Sequence, residues 1–303
     1  MNSNPGDRVN ASEITASPQL ARETLPGKSK TELPQVLIES EEAGVHLNLS
    51  ELWYYRELLY LLTLRDIKVR YKQTLMGLAW VIIQPLTTML IFTLVFNRFV
   101  RVDTRPMPYP LFALSGLLPW LFFANAVTNS ASSLVLNAHL VTKVYFPRMF
   151  IPAATVGTGL VDLAISFVLL IAFALYYGTV WTWSVLLLPV FIMLMALFAL
   201  GVGLVFSSLT VKYRDLRHAL PFLIQIWMFA SPVIYPASIV PEKWRWLLLV
   251  NPIAAMLEGF RAALTGSSFN WPHIGLAAGI ILTLLILSLY IFRRAEDNFA
   301  DVI

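Results

Sequence analysis

Residues 65–86 read RDIKVRYKQTLMGLAWVIIQPL and join a dense basic cluster to a long apolar segment. The basic residues of the cluster are Arg65, Lys68, Arg70 and Lys72. Lys and Arg are enriched beside membrane helices on the cytoplasmic side. The junction therefore predicts the inner end of a membrane helix that begins near Gly77, and with it an integral membrane protein.

The composition supports this class. Hydrophobic residues make up 57% of the 303 residues and charged residues 13%, whereas soluble domains carry about a quarter charged residues. The chain has no cysteine, which excludes disulfides and thiolate metal sites. Its four histidines are scattered along the sequence without a pair at ligand spacing. We therefore predict an all-α integral membrane protein without a metal site.

A helix needs about 20 mostly apolar residues to cross a bilayer. The sequence predicts six spans, at about 77–97, 111–134, 152–177, 183–209, 220–235 and 274–292. The fifth span is the shortest and contains Gln225 and Pro232. Residues 236–265 are apolar but interrupted by prolines and charges. We expect short helices that enter the outer interface there, rather than a seventh span.

The segments before the first span are expected to lie on the cytoplasmic side. Residues 1–49 are polar, with few aromatic residues, and are predicted to form a disordered cytoplasmic tail. Residues 50–64 are too short and too charged to span, so they predict an amphipathic interfacial helix. A helix packed in a small soluble domain is the alternative. Residues 65–303 form the membrane domain, and the excess of Lys and Arg on its inner flanks places both termini in the cytoplasm.

The sequence offers no site for catalysis or ATP binding. Pro26-Gly27-Lys28-Ser29 resembles the end of a phosphate-binding loop, but Arg22 stands where the first glycine is needed. There is also no nucleophile–base set, metal cluster or base-reading motif. We therefore predict that the chain is not an enzyme, that it does not hydrolyse ATP and that it does not bind nucleic acid.

The first inner loop, residues 137–152, reads NAHLVTKVYFPRMFIP. It is short and amphipathic, as expected of a small helix presented to a cytoplasmic partner. The apolar residues of its centre would enter a groove of that partner, with basic residues at the rim. The other interpretation is a basic anchor that only connects two spans. The contact residues would be Lys143, Val144, Tyr145, Phe146, Pro147 and Arg148.

Asp162 is an acidic residue inside a predicted span. A carboxylate within the membrane is energetically costly, so it is a candidate functional group. A structural ion pair with Arg148 or Lys143 is the other interpretation. No second carboxylate or histidine accompanies it, which argues against an ion-driven transporter.

Aromatic residues and one amide are candidates for the wall of a channel. Aromatic rings stack on the C–H surfaces of sugars, so such a wall would suit a glycan, although contact with lipid would also explain them. The candidates are Trp80, Phe92, Phe96, Gln225, Trp227, Phe229 and Tyr235.

Three stretches of the chain together form a recognisable pattern. They are Arg65-Asp66-Ile67-Lys68-Val69-Arg70-Tyr71 with Gly77, Trp80 and Pro85; Lys143 with Phe146-Pro147-Arg148 and Pro152; and Ser231-Pro232-Val233-Ile234-Tyr235 followed by Asn251-Pro252 and Arg261. In these stretches, and from about residue 50 to the C-terminus, the chain resembles the membrane subunit of bacterial ABC exporters for O-antigen, capsule and teichoic-acid polymers, the type-2 ABC permeases.

The resemblance implies six membrane helices per subunit, a homodimer, and two separate ATPase subunits that bind ATP and Mg²⁺. It implies an undecaprenyl-linked glycan as substrate, membrane lipids as surroundings and the bacterial inner membrane as location. Residues 139–150 would form the coupling helix, and 236–265 a pair of outer gate helices. The gate residues would be Pro241, Trp244, Asn251, Pro252 and Arg261. A permease of the same fold for drugs or small lipids, and a membrane-embedded transferase, are the alternatives.

Overall fold

The structure, a computed structural model, describes residues 53–72, 77–144, 146–179, 182–296 and residue 299. All regular secondary structure in these ranges is helical, in agreement with the predicted class. The predicted tail, residues 1–49, lies outside the described residues, and so does Tyr145 of the predicted coupling loop.

Ten α-helices are described, numbered here in chain order. They are α1 (Arg56–Lys72), α2 (Gly77–Phe92), α3 (Tyr109–Leu136), α4 (Ala138–Lys143), α5 (Phe150–Tyr176), α6 (Leu188–Lys212), α7 (Leu216–Ala230), α8 (Arg245–Val250), α9 (Pro252–Thr265) and α10 (Trp271–Glu296). A π-helical segment, Thr93–Phe99, extends α2, and a 3₁₀ turn, Trp183–Leu187, precedes α6. We call the end at which α1 and α4 lie the inner end, following the predicted orientation.

Five of the six predicted spans coincide with helices that are long and apolar enough to cross a membrane. The predicted fifth span does not pass this test, because α7 has only 15 residues. At 1.5 Å per residue α7 is about 22 Å long, shorter than a bilayer core of about 30 Å. The pair α8 and α9 passes the same test jointly but is bent by 92°. The described residues therefore contain five candidate spans, or six if the bent pair is one.

The helix α3 lies at the centre of the molecule. Within its most apolar stretch 78% of the residues are buried inside the chain, against 11% for the first span, Gly77–Phe99. It packs most extensively against α6 and α5, and α2 and α7 also contact it. The first span therefore presents most of its apolar surface outward, to lipid or to another chain.

Small residues allow the closest helix contacts. A Cβ at Gly203 of α6 would lie 2.7 Å from the Ser130 Cβ of α3, and one at Gly201 would lie 3.4 Å from the Leu285 Cα of α10. In contrast, nothing lies within 4 Å of a Cβ at Gly279 of α10. Small residues therefore let the backbones of the central helices approach closely, as in other membrane proteins.

A second apolar cluster lies at the inner end, where Leu62 of α1 packs with residues of α3, α4, α5 and α10. The helix α1 continues through the basic cluster to Lys72, beyond the predicted end at residue 64. It contains neither Pro nor Gly, so nothing in its sequence ends the helix at that boundary. The basic cluster is therefore part of α1 rather than a link between α1 and the membrane.

Candidate functional site

Asp162 of α5 is held by two consecutive residues of α1. The Arg70 guanidinium pairs with one carboxylate oxygen and the Tyr71 hydroxyl donates to the other. Burial, followed by the contact with Asp162, raises the pKa of Tyr71 well above its usual value. This cluster joins α1 to α5 near the predicted junction between the basic residues and the first membrane span.

The predicted partners of Asp162, Arg148 and Lys143, were wrong. Arg148 precedes Asp162 by 14 residues along a nearly continuous helix, which is a separation of about 20 Å. No arginine side chain reaches that far. The sequence does not identify Arg70 as the partner, because the contact depends on how α1 packs against α5 and residue spacing does not reveal that packing.

Pro85 inside α2 leaves the carbonyl of Val81 without its helical donor, because proline has no N–H. The Ser166 hydroxyl of α5 lies 3.1 Å from that carbonyl oxygen and 2.9 Å from the carbonyl oxygen of Asp162. A neighbouring helix therefore satisfies the freed backbone group, as the membrane interior requires.

The predicted coupling loop contains the short helix α4 and is tied to the end of α10. The Arg148 backbone N–H donates to a Glu296 carboxylate oxygen at 2.8 Å, and the Arg148 guanidinium donates to the Glu296 carbonyl. Phe146 is only 7% exposed and belongs to the inner apolar cluster, so its ring does not point toward a partner as expected. Lys143 and Val144 are exposed, and Pro147 is half-buried.

Irregular backbone between α7 and α8 is satisfied by side chains from two other helices. The buried Arg261 of α9 donates to the carbonyl oxygens of Pro232 and Val233, both at 2.7 Å. The Tyr109 hydroxyl of α3 donates to the Ile234 carbonyl at 2.8 Å. Non-helical backbone is tolerated at membrane depth only under such cover.

Arg261 also makes contacts beyond this segment. Its guanidinium carbon lies 3.7 Å from the centroid of the Phe112 ring, and its Nε lies 3.4 Å from the Ser115 hydroxyl. Gly116, one turn along α3 from Phe112, leaves the space that the Val233 carbonyl and the guanidinium occupy. We call Arg261 with Pro232 and Val233 the outer clamp.

Asn251 connects three elements at the bend between α8 and α9. Its side-chain oxygen accepts from the Ile253 N–H at 3.2 Å, which caps α9, and its amide donates to the Ser231 hydroxyl at 2.8 Å. The Trp227 indole N–H donates to the same oxygen at 3.4 Å. Asn followed by proline is a favoured helix start, which explains why α9 begins at Pro252. Of the other predicted gate residues, Pro241 and Trp244 are exposed.

The predicted channel residues fall into two groups. Trp80, Gln225 and Phe229 are exposed, whereas Phe92, Phe96, Trp227 and Tyr235 are half-buried against neighbours. The Trp227 ring packs edge-on against Phe123 and Phe198 within the chain, at 5.3 and 5.7 Å between centroids. The two helices that carry most of these residues, α2 and α7, each pack on α3.

An outer cavity of about 360 Å³ lies between the 103–107 loop and the helices α9 and α10. Its wall includes the exposed pair Asp103 and Arg105, in which the guanidinium lowers the pKa of the Asp103 carboxyl to about 2. His273 Nδ1 lies 3.5 Å from a carboxylate oxygen of Glu258 in the same wall. Within the ranges that the structure describes, no group of three or more metal-ligating side chains is present.

These features occur in a chain whose residues 57–265 match the model of the family described as ABC-2 type transporter. The chain belongs to the ABC-2 type transporter family. The match covers α1 to α9, so it includes the Asp162 cluster, the coupling loop, the outer clamp and Asn251.

Several relatives of this chain are named for the export or transport of polysaccharides. The chain is 31% identical to the O-antigen export system permease protein RfbA of Klebsiella pneumoniae over 258 residues, 83% of this chain and 97% of the relative. It is 33% identical to the RfbA protein of Myxococcus xanthus over 257 residues, 84% and 98% of the two chains. The polysialic acid transport protein KpsM of Escherichia coli is 24% identical over 247 residues, 78% and 92%. The predicted resemblance to type-2 ABC permeases of polysaccharide exporters is therefore confirmed.

Proposed function

We propose that this chain is the transmembrane subunit of an ABC transporter that exports a lipid-linked, O-antigen-like polysaccharide across the bacterial inner membrane. The observation that carries the proposal is the 31% and 33% identity to O-antigen export permeases over nearly their whole length. Two copies of the chain form the membrane part, with the termini in the cytoplasm, and the glycan is linked to undecaprenyl diphosphate.

The energy comes from two separate ATPase subunits, which bind ATP and Mg²⁺ and contact α4. Support for this comes from the position of α4, which follows α3 after Asn137 and is separated from the start of α5 by six residues. Arg148 fixes the same loop to the last residues of α10. We infer that a displacement of α4 would reach three membrane helices, α3, α5 and α10.

The glycan moves between the two chains, past the first span and α7. Support comes from the low burial of the first span and from the exposed Trp80, Gln225 and Phe229. The bent pair α8 and α9 forms the outer gate, held to the chain by the outer clamp and Asn251.

Coupling is tested with Val144→Asp, which places a charge on a side chain that is 53% exposed in the predicted contact. We expect at least about a tenfold loss in ATPase binding, or about 1.4 kcal/mol, with a matching loss of surface glycan. Val100→Asp, at an exposed position on the outer side, is the matched control. Normal ATPase binding by the Val144 variant would make the loop a plain connection between spans.

The cargo is tested by deleting the gene. We expect surface polysaccharide to be lost and lipid-linked glycan to accumulate inside the cell. Normal surface glycan with altered drug tolerance would instead favour a permease for drugs or small lipids.

A further inference from the structure

A second cavity, of about 380 Å³, lies within one subunit between α2, α3 and α5. Three amide side chains line it, namely Gln84 of α2 and Asn125 and Asn129 of α3. The two asparagines are four residues apart, so they lie on one face of α3. Trp80 of α2 is also part of the wall. All four residues lie within candidate membrane spans.

The three amides differ from other polar side chains in these spans. Thr88 and Thr128 each donate to the carbonyl four residues earlier, at 2.8 Å. Among the described residues the side-chain amides of Gln84, Asn125 and Asn129 have no hydrogen-bond partner. None of the three is fully buried, and no described side-chain nitrogen or oxygen is both buried and unpaired. An unpaired amide in hydrocarbon costs several kcal/mol. The cavity therefore holds water or a polar ligand rather than lipid tails.

The charges of the wall favour a neutral ligand. Among the described residues that line it, Arg70 is the only cation, and Asp162 holds its guanidinium in an ion pair. A diphosphate would need positive charge in excess of this pair. Amides both donate and accept, which suits the hydroxyl groups of a sugar. The Trp80 ring, 58% exposed, offers a flat surface for the C–H face of the same sugar.

We propose that Gln84, Asn125 and Asn129 form a carbohydrate subsite, with Trp80 as its stacking surface, that holds a sugar residue of the exported glycan within the inner half of the membrane. Gln84 and Asn129 each lie seven residues from the inner end of their helix, or about 10 Å in depth. The inference rests on the proposed function and adds the place at which the glycan binds inside a single subunit.

The absence of cysteine from the chain makes a direct test possible. Asn125→Cys and, on a different helix, Gln84→Cys are each made in the full chain and assembled with its ATPase in membrane vesicles. Val168→Cys is the matched control, since Val168 is 64% exposed on α5 and outside the cavity. The vesicles are treated with a charged, membrane-impermeant thiol reagent from the cytoplasmic side. The probes are glycan-lipid extracted from the deletion strain and undecaprenyl diphosphate without sugar.

We expect both cavity cysteines to react while the control cysteine does not. Glycan-lipid at ten times its dissociation constant slows the reaction about tenfold, as saturation of one site requires, and undecaprenyl diphosphate does not slow it. Unreactive cavity cysteines, a disulfide between two copies, or equal protection by both lipids would each overturn the subsite. A deletion strain without accumulated glycan would overturn the proposed function instead, so the two failures are distinguishable.

Discussion

Replacing Arg261 with alanine removes the centre of the outer clamp. Two charge-assisted hydrogen bonds to carbonyl oxygens, both at 2.7 Å, are lost together with the contact to the Phe112 ring at 3.7 Å. A buried group left without its partner costs about 1–3 kcal/mol, and a desolvated cation–π contact contributes about 2 kcal/mol. The variant also loses the desolvation cost of the arginine, which offsets part of the sum. We therefore expect a net loss of about 3 kcal/mol in the free energy of unfolding.

The loss is measured by unfolding the purified chain in mixed detergent micelles and comparing free energies. Arg261→Lys keeps the charge but cannot reach both carbonyls as a fork, so an intermediate loss is expected. Arg245→Ala is the control, because its contacts with Glu242, at 3.5 Å, and with the Val240 carbonyl, at 3.3 Å, are both long and exposed. Exposed ion pairs of this kind contribute less than about 1 kcal/mol. If Arg261→Ala were no less stable than Arg245→Ala, the outer clamp would not stabilise the bend.

Three further outcomes follow from the packing. Gly116→Ala places a methyl group against the outer clamp and should lower the free energy of unfolding by about 1–3 kcal/mol. The control Gly279→Ala, in open space, should change it by less than about 0.5 kcal/mol. Equal losses would contradict the packing. Asp162→Ala removes the acceptor for Arg70 and Tyr71, so amide hydrogen exchange in α1 should accelerate about tenfold or more. A tenfold change corresponds to about 1.4 kcal/mol in the free energy of local opening. Unchanged exchange would show that other contacts hold α1 in place. Ser166→Ala should lower the free energy of unfolding by about 0.6 kcal/mol. This loss should vanish in a Pro85→Ala background, because the restored backbone N–H of residue 85 then donates to the Val81 carbonyl. A loss that does not depend on Pro85 would refute the pairing of Ser166 with that carbonyl.

The membrane helices were predictable because each is a run of apolar residues of sufficient length. The run at 220–235 was read as a span on composition, but the helix ends at Ala230, and the following Ser231–Tyr235 segment needs donors from α3 and α9. Those donors are more than 100 and about 30 residues away in the chain. Hydropathy in a sequence window contains no information about such contacts.

The polar groups of the site were only partly predictable. Asp162 was recognised because an acidic residue in an apolar run is rare, but its partner Arg70 lies 92 residues earlier in the chain. Asn125 and Asn129 were not recognised, although two amides one turn apart in a span are a readable signal. Phe146 was expected to face a partner, and burial in the inner cluster could not be read from the loop alone.

We propose that this chain moves a lipid-linked glycan when a separate ATPase hydrolyses ATP. The direct measurement uses vesicles that contain the chain and its ATPase, with labelled glycan-lipid in the outer leaflet and the ATPase facing outward. Addition of ATP should make the glycan resistant to an external glycosidase, and vesicles without the ATPase should show no such protection. ATP hydrolysis by the complete complex that leaves all the glycan sensitive to the enzyme would contradict the account.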